Sequence, residues 1–176
     1  MYNINDLIVY GSTGVCRIKD IKNSDLMGSG EKQLCYVLEP IYHDYVISTP
    51  VENTKVFMRP ILTKDEAEQL IDSIPSINAE AYHNSVLRQL EAHYKSFLDT
   101  HDCMEILKLI LSLYEKKKEV EEQNRKFGQI DERFLRQAED LLFGELSASL
   151  DIPRDTIVEY VKSRLEDREL LGDDAD

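Results

Sequence analysis

Apolar residues come in short runs cut by glycine and polar turns up to about residue 60, and then at every third or fourth position to the end of the chain. In the first part LIVY (7–10) is followed by the turn Gly11-Ser12-Thr13-Gly14 and by VCRIKDIK (15–22). Strand alternation puts Val15, Arg17, Lys19 and Ile21 on one side of this second segment, and Cys16, Ile18 and Asp20 on the other. Residues 23–32, with Ser24, Gly28, Ser29 and Gly30, read as a loop. QLCYVLEP (33–40) gives a third strand, YVISTP (45–50) a fourth after a tight Tyr42–Asp44 connection, PVENT (50–54) a turn, and VFMR (56–59) a fifth strand. Five short strands with glycine-rich turns predict a small, strongly bent barrel.

The helical period begins at Thr63. Thr63-Lys64-Asp65-Glu66 fits a capping box, and Ser73-Ile74-Pro75 ends the helix it starts. Asn78 is read as the cap of a helix over 79–99 that buries Val86, Leu87, Leu90, Tyr94, Phe97 and Leu98. The stretch Cys103 to Gly128 is the centre of the domain: nine of its first twelve residues are large and apolar, so other elements must cover it on several sides. Past Tyr114 it turns to Glu115 and Lys116 to Lys118, which reads as an exposed arm terminated at Gly128. Asp131 or a neighbour starts a helix with Phe134, Leu135, Ala138, Leu141, Leu142 and Leu146 inward. Asp151 is read as the cap of the last, with Pro153 in its first turn and Ile157, Val158, Val161 and Leu165 inward. The expected fold is α+β: a barrel over 1–60, a helical domain of four to five helices over 61–172, and an acidic, frayed tail at 173–176. No internal repeat or low-complexity segment is present.

Charge adds a constraint. The 176 residues carry a net charge of −13, which opposes indiscriminate nucleic-acid binding, whose sequence-independent part is electrostatic. Residues 1–60 hold six Lys/Arg against seven Asp/Glu, so the acidity lies in 61–176, yet 116–126 has five basic against three acidic side chains. Screening confines exposed charges to about 8 Å at physiological salt, so a local basic face survives on an acidic domain. Cys16, Cys35 and Cys103 are odd in number and widely spaced, which suggests reduced thiols in a cytoplasmic protein. The longest apolar run falls short of a membrane span, and MYNINDLIVY has no basic residue before its apolar run, unlike a secretory signal.

Catalytic chemistry finds no foothold. His43, His83, His93 and His101 are scattered without metal-ligand spacing, the glycines form no phosphate loop, and there is no nucleophile elbow. The expectation is a non-enzyme without cofactor or metal. The basic cluster has two readings. Lys116, Lys117 and Lys118 pair with Glu121 and Glu122 to solubilise a helix end, or Lys108, Lys116, Lys117, Arg125, Lys126, Arg133 and Arg136 form one phosphate-touching face. Such contacts give weak, salt-dependent binding that needs a second attachment. YVISTP, ending at Pro50, offers one if it is an open edge that accepts a partner strand; the other reading has it paired in the barrel or capped by the loop 23–32.

DLIVYGSTGVCRIKDI, ISTPVEN, MRPILTKDEAEQLIDSIP, LYEKKKEVEE and DERFLRQAEDLLFGELS occur in that order. In these stretches the chain resembles the CarD/CdnL-type bacterial transcription regulators, whose N-terminal module is shared with the transcription-repair coupling factor; the helical stretches resemble versions from Gram-positive anaerobes. The resemblance implies a Tudor-like, SH3-like barrel domain that binds the β-subunit lobe of RNA polymerase by strand addition. It also implies a helical domain that contacts promoter DNA weakly, with the polymerase's help, at the upstream edge of the bubble, in a monomer that modulates open-complex stability. Carried over, the polymerase contacts fall on Val46, Ile47, Ser48, Thr49 and Pro50, and the DNA contacts on Arg88, Lys95, Lys117, Lys118, Arg125 and Lys126. Some members carry Arg where Ser48 stands. The tryptophan that often wedges into the minor groove is absent, since the chain has none; Tyr82 or Leu87 lies near its place. The competing class is a protein–protein interaction module without DNA contact.

Overall fold

The computed structural model describes residues 1–53 and 55–172, so Thr54 of the PVENT turn and the acidic tail at 173–176 lie outside the described residues. The chain forms two compact units, Met1–Ile61 and Leu62–Asp176.

The first unit is one antiparallel sheet of β1 (Leu7–Tyr10), β2 (Gly14–Ser24), β3 (Gln33–Pro40), β4 (Ile47–Pro50) and β5 (Met58–Pro60), in the order β4-β3-β2-β1-β5. The fourth and fifth strands start two residues later than the pattern predicts. β4 and β5 are not paired with each other, so the expected barrel is an open sheet. Gly11 opens the one-turn link between β1 and β2 with φ 46°, and a Cβ there would stand 2.9 Å from a Val56 methyl, so glycine is required. Ile8, Cys16, Ile18, Tyr36 and Leu38 make the core, with Ile21, Ile47, Val51 and Met58 packed on it. Strict alternation assigned Ile21 to the face opposite Cys16 and Ile18. A bulge at Lys19 sets Ile18 against Leu38 and Asp20 against Val37; the extra residue inverts the alternation and returns Ile21 to the core face.

In the second unit α1 (Lys64–Asp72) starts with the expected box: Thr63 Oγ1 accepts the Glu66 N–H at 3.2 Å, and the Glu66 carboxylate accepts the Thr63 N–H at 2.7 Å. A single 3₁₀ turn, Ile74–Ser76, follows. α2 (Leu87–Leu98), α3 (Cys103–Glu122), α4 (Gln129–Leu150) and α5 (Ile157–Gly172) complete it. Their core joins Leu90, Tyr94, Ile106, Leu109, Ile110, Leu113, Phe134, Leu135, Ala138, Leu142, Leu146 and Ile157. Asp72 ties α1 to α5, accepting from Arg164 at 2.8 and 2.9 Å and from Arg168 at 2.8 Å.

Four expectations are corrected. Residues 79–86 are not helical, and Val86 and Leu87 are exposed rather than buried; Asn84 accepts the Val86 N–H at 2.9 Å in a local turn that competes with helix. α3 ends at Glu122, where Asn124 takes φ 54° and the Arg125 N–H reaches the Val120 carbonyl at 2.8 Å. Gly128 instead precedes α4, in extended conformation. Asp151 does not cap α5: it closes α4 in the left-handed conformation, φ 52°. The arm beyond Tyr114 is not wholly exposed, because Lys116 and Val120 are buried.

Candidate functional site

β4 forms one border of the sheet. Its register with β3 sets Leu38 against Ile47, Val37 against Ser48, Tyr36 against Thr49 and Cys35 against Pro50, and the Val51 N–H reaches the Leu34 carbonyl at 2.9 Å. Hydrogen-bonded and non-bonded pairs alternate along an antiparallel ladder. Ile47 and Thr49 therefore direct their backbone groups at β3, while Ser48, Pro50 and, by continuation, Val46 direct theirs away from it. No strand among the described residues lies on that far side. Proline stands at an outward position, where its missing N–H leaves no gap in the ladder. The side chains divide the same way. Thr49 is buried and Ile47 packs on the core, whereas Ser48 is exposed and Val46 is 54% exposed. The five expected polymerase residues thus share one border, three facing out by their backbone and two helping to hold the sheet together.

In the helical unit the extended segment 77–86 lies over α2 and α3. The Ser112 hydroxyl donates to the Glu80 carbonyl at 2.6 Å, His83 meets Glu119 at 2.7 Å, and the Tyr82 ring stacks on His93 with centroids 3.6 Å apart. Burial first, and the Lys116 charge second, hold the His93 pKa below its ordinary value. Tyr82 is thereby committed to internal packing. Leu87, 61% exposed, is the free apolar side chain. It borders a groove of about 860 Å³ together with Arg125 and Lys126, above a floor that includes Lys116 and Asp131. The floor is a buried polar cluster in which Lys116 Nζ meets Asp131 Oδ1 at 2.8 Å and donates to the Tyr94 hydroxyl at 3.1 Å, and that hydroxyl donates to Asp131 Oδ1 at 2.5 Å. Burial, and then the Asp131 carboxylate, push the Tyr94 pKa far above its usual value.

The structure divides the expected cationic face. Lys108, Lys116, Arg133 and Arg136 each meet a carboxylate, of Glu105, Asp131, Glu91 and Glu132. Among the described residues Arg88, Lys95, Lys117, Lys118, Arg125 and Lys126 form no ion pair. Lys117 lies 6.0 Å over the Phe127 ring, and with Lys118 it lines a shallow depression beside Glu121 and Glu122, apart from the groove. Arg88 and Lys95 are exposed on one side of α2. The arrangement brings together Leu87, Arg125 and Lys126, and it leaves Lys117 and Lys118 among acids. The Lys116–Asp131–Tyr94 cluster was missed, although Lys116 continues the stripe Leu109, Leu113, Val120 and Asp131 precedes Phe134 and Leu135 on theirs. A charge on an apolar stripe is the signal for such a pair.

An open strand border on a small sheet, joined to a helical unit with a cationic groove, defines an interaction module of the kind that acts through macromolecular partners. Among the described residues no cluster of His, Cys, Asp and Glu fits a metal ion, and no helix is long and apolar enough to cross a membrane. Residues 2–62 match the family model of the CarD-like/TRCF RID domain. The match covers the N-terminal unit, about a third of the chain, and the domain it identifies is RNA polymerase-interacting and transcription-related; RID domains are non-enzymatic interaction domains. No curated protein matches the chain.

Proposed function

We propose that the β4 border accepts a strand from the β-subunit lobe of RNA polymerase, and that the helical unit then contacts promoter DNA at the upstream edge of the bubble and tunes open-complex stability. The observation that carries this reading is the direction of the β4 backbone: Ser48 and Val46 offer N–H and C=O, and Pro50 offers C=O, toward a side where no described strand stands. These groups suit strand addition. Each hydrogen bond contributes about 0.5–1.5 kcal/mol net, while association costs on the order of 4–15 kcal/mol, so side chains must add to the border. On the DNA side Leu87 takes the part expected of an apolar wedge, with Arg125 and Lys126 beside it for phosphate and Arg88 one residue further on. The protein works as a cytoplasmic monomer, and the polymerase supplies the local concentration that an acidic protein needs at DNA.

Retention on immobilised core RNA polymerase tests the border. Ile47→Glu is a poor probe, because Ile47 packs on the sheet core. Ser48→Pro removes one outward donor and leaves the β3–β4 bonds in place; it should lose retention while melting like the wild type. Wild-type retention by the variant would exclude strand addition at β4.

A second reading is favoured by the ion pairs that neutralise Lys108, Lys116, Arg133 and Arg136. On it the helical unit, with a net of −12 over residues 61–176, binds another protein and not DNA. Leu87→Ala combined with Arg125→Glu and Lys126→Glu discriminates. On the DNA reading it shortens the open-complex lifetime without affecting polymerase binding, and on the protein reading that lifetime is unchanged. Lys117→Glu with Lys118→Glu asks the same of the second basic site.

A further inference from the structure

The hairpin of β2 and β3 overhangs the edge strand. The β3–β4 bonding ends at Leu34, whose carbonyl accepts the Val51 N–H, whereas β2 and β3 remain paired as far as Ser24 against Gln33. One paired residue, at about 3.3 Å, carries the hairpin past that last bond before the loop 25–32 begins. That loop is ordered from within. The Asp25 carboxylate accepts the N–H groups of Met27 at 3.2 Å, Ser29 at 3.1 Å and Gly30 at 2.8 Å. Gly28 and Gly30 take φ 68° and 85°, and among the described residues no atom beyond the chain neighbours lies within 4 Å of where a Cβ would stand on either. The loop therefore holds its shape through one carboxylate, with little support from packing.

Two apolar side chains stand out of this otherwise polar loop, and a third lies just beyond it on β3. Met27 is 83% exposed, and Leu26 and Leu34 are exposed as well. A preformed loop loses little backbone freedom when a partner covers it, so burial of its two apolar side chains is opposed mainly by their own rotamer entropy. Strand addition brings backbone bonds that are the same for any sequence, and β4 has few to offer. A folded domain that supplies the added strand extends beyond the strand's ends, and past Pro50 it meets the overhanging hairpin.

We infer that the β2–β3 tip, Leu26 and Met27 held out by Asp25, is a second polymerase contact that docks on an apolar patch of the β subunit next to the strand paired with β4. The tip supplies the side-chain selectivity that the backbone border lacks. This inference rests on β4 being the polymerase border.

The full chain, Met27→Glu, Leu26→Ser, Asp25→Ala and Ser48→Pro are each titrated onto immobilised core RNA polymerase, and each is melted separately. Met27→Glu should weaken binding about tenfold, the effect of losing one well-buried anchor. Leu26→Ser should also weaken it. Asp25→Ala, which keeps the apolar side chains but frees the loop, should cause a smaller loss, and melting should be unchanged in all three. Wild-type affinity of Met27→Glu and Leu26→Ser, alongside lost binding of Ser48→Pro, would overturn the tip contact and leave the β4 reading intact. Lost binding of the tip variants with Ser48→Pro unaffected would overturn β4 as the border, and with it the tip's place beside a paired strand. Absence of wild-type binding would overturn both.

Discussion

Lys116 stands where helical spacing calls for an apolar side chain, and it is only 6% exposed. With Asp131 and Tyr94 it joins α3, α4 and α2 beneath the groove that Leu87, Arg125 and Lys126 border. A buried ion pair adds little net stability, because desolvation offsets the attraction, but removing one partner strands a charge. Asp131→Ala should therefore lower the unfolding free energy by about 3–5 kcal/mol in urea titrations, with Lys116→Met plus Asp131→Leu recovering most of the loss. A double substitution as damaging as the single one would show that the polar contacts themselves hold these helices together. Single residues were legible where their chemistry is local: Thr63 and Glu66 announce their capping box across three positions. Lys116 and Asp131 are fifteen residues apart, and only the stripe on each helix hints that the two meet.

The segment 77–86 shows how an element escapes a periodic pattern. Val86 and Leu87 fit the spacing of Leu90 and Tyr94, yet side-chain bonds from Asn84 and Ser112 and the Tyr82–His93 stack hold the segment extended. These contacts end the helix early and turn Leu87 outward, which makes it available as a wedge. Ser112→Ala with Tyr82→Ala should raise the rate of limited proteolysis within 77–86 by roughly tenfold, the effect of losing about 1.4 kcal/mol of local contacts, and leave α3 uncleaved. Equal rises in both would mean that the segment opens only with the whole unit. The bulge at Lys19 is a similar case in the sheet, since alternation read from sequence places Ile21 on the wrong face until the extra residue is seen in register.

At the scale of the whole molecule, the proposed function rests on two weak attachments, which together would bring an acidic protein to DNA. On that reading the β4 border and the hairpin tip bind through uncharged groups, whereas Arg88, Arg125 and Lys126 are the phosphate contacts. Polymerase binding should change little from about 50 to 200 mM salt, while the effect on open-complex lifetime should fall with a logarithmic slope of about −2 to −3, as expected for three phosphate contacts. Lifetimes measured across that range decide it, and a salt-independent effect would favour the protein-binding alternative.

The sequence by itself determined the α+β class, the change from sheet to helix near residue 60, the first helix cap and most core positions, because these follow from period, caps and turns within a few residues. It also marked Val46 to Pro50 and the cations from Arg88 to Lys126 as candidates, but not how they group. Tertiary structure alone decided which β4 backbone groups face outward, since that depends on register with β3. It decided that Lys108, Lys116, Arg133 and Arg136 are paired while Arg125 and Lys126 share a groove with Leu87. It also placed Leu26 and Met27 on an overhang past β4, because strand lengths and long-range contacts set those distances and no local pattern encodes them.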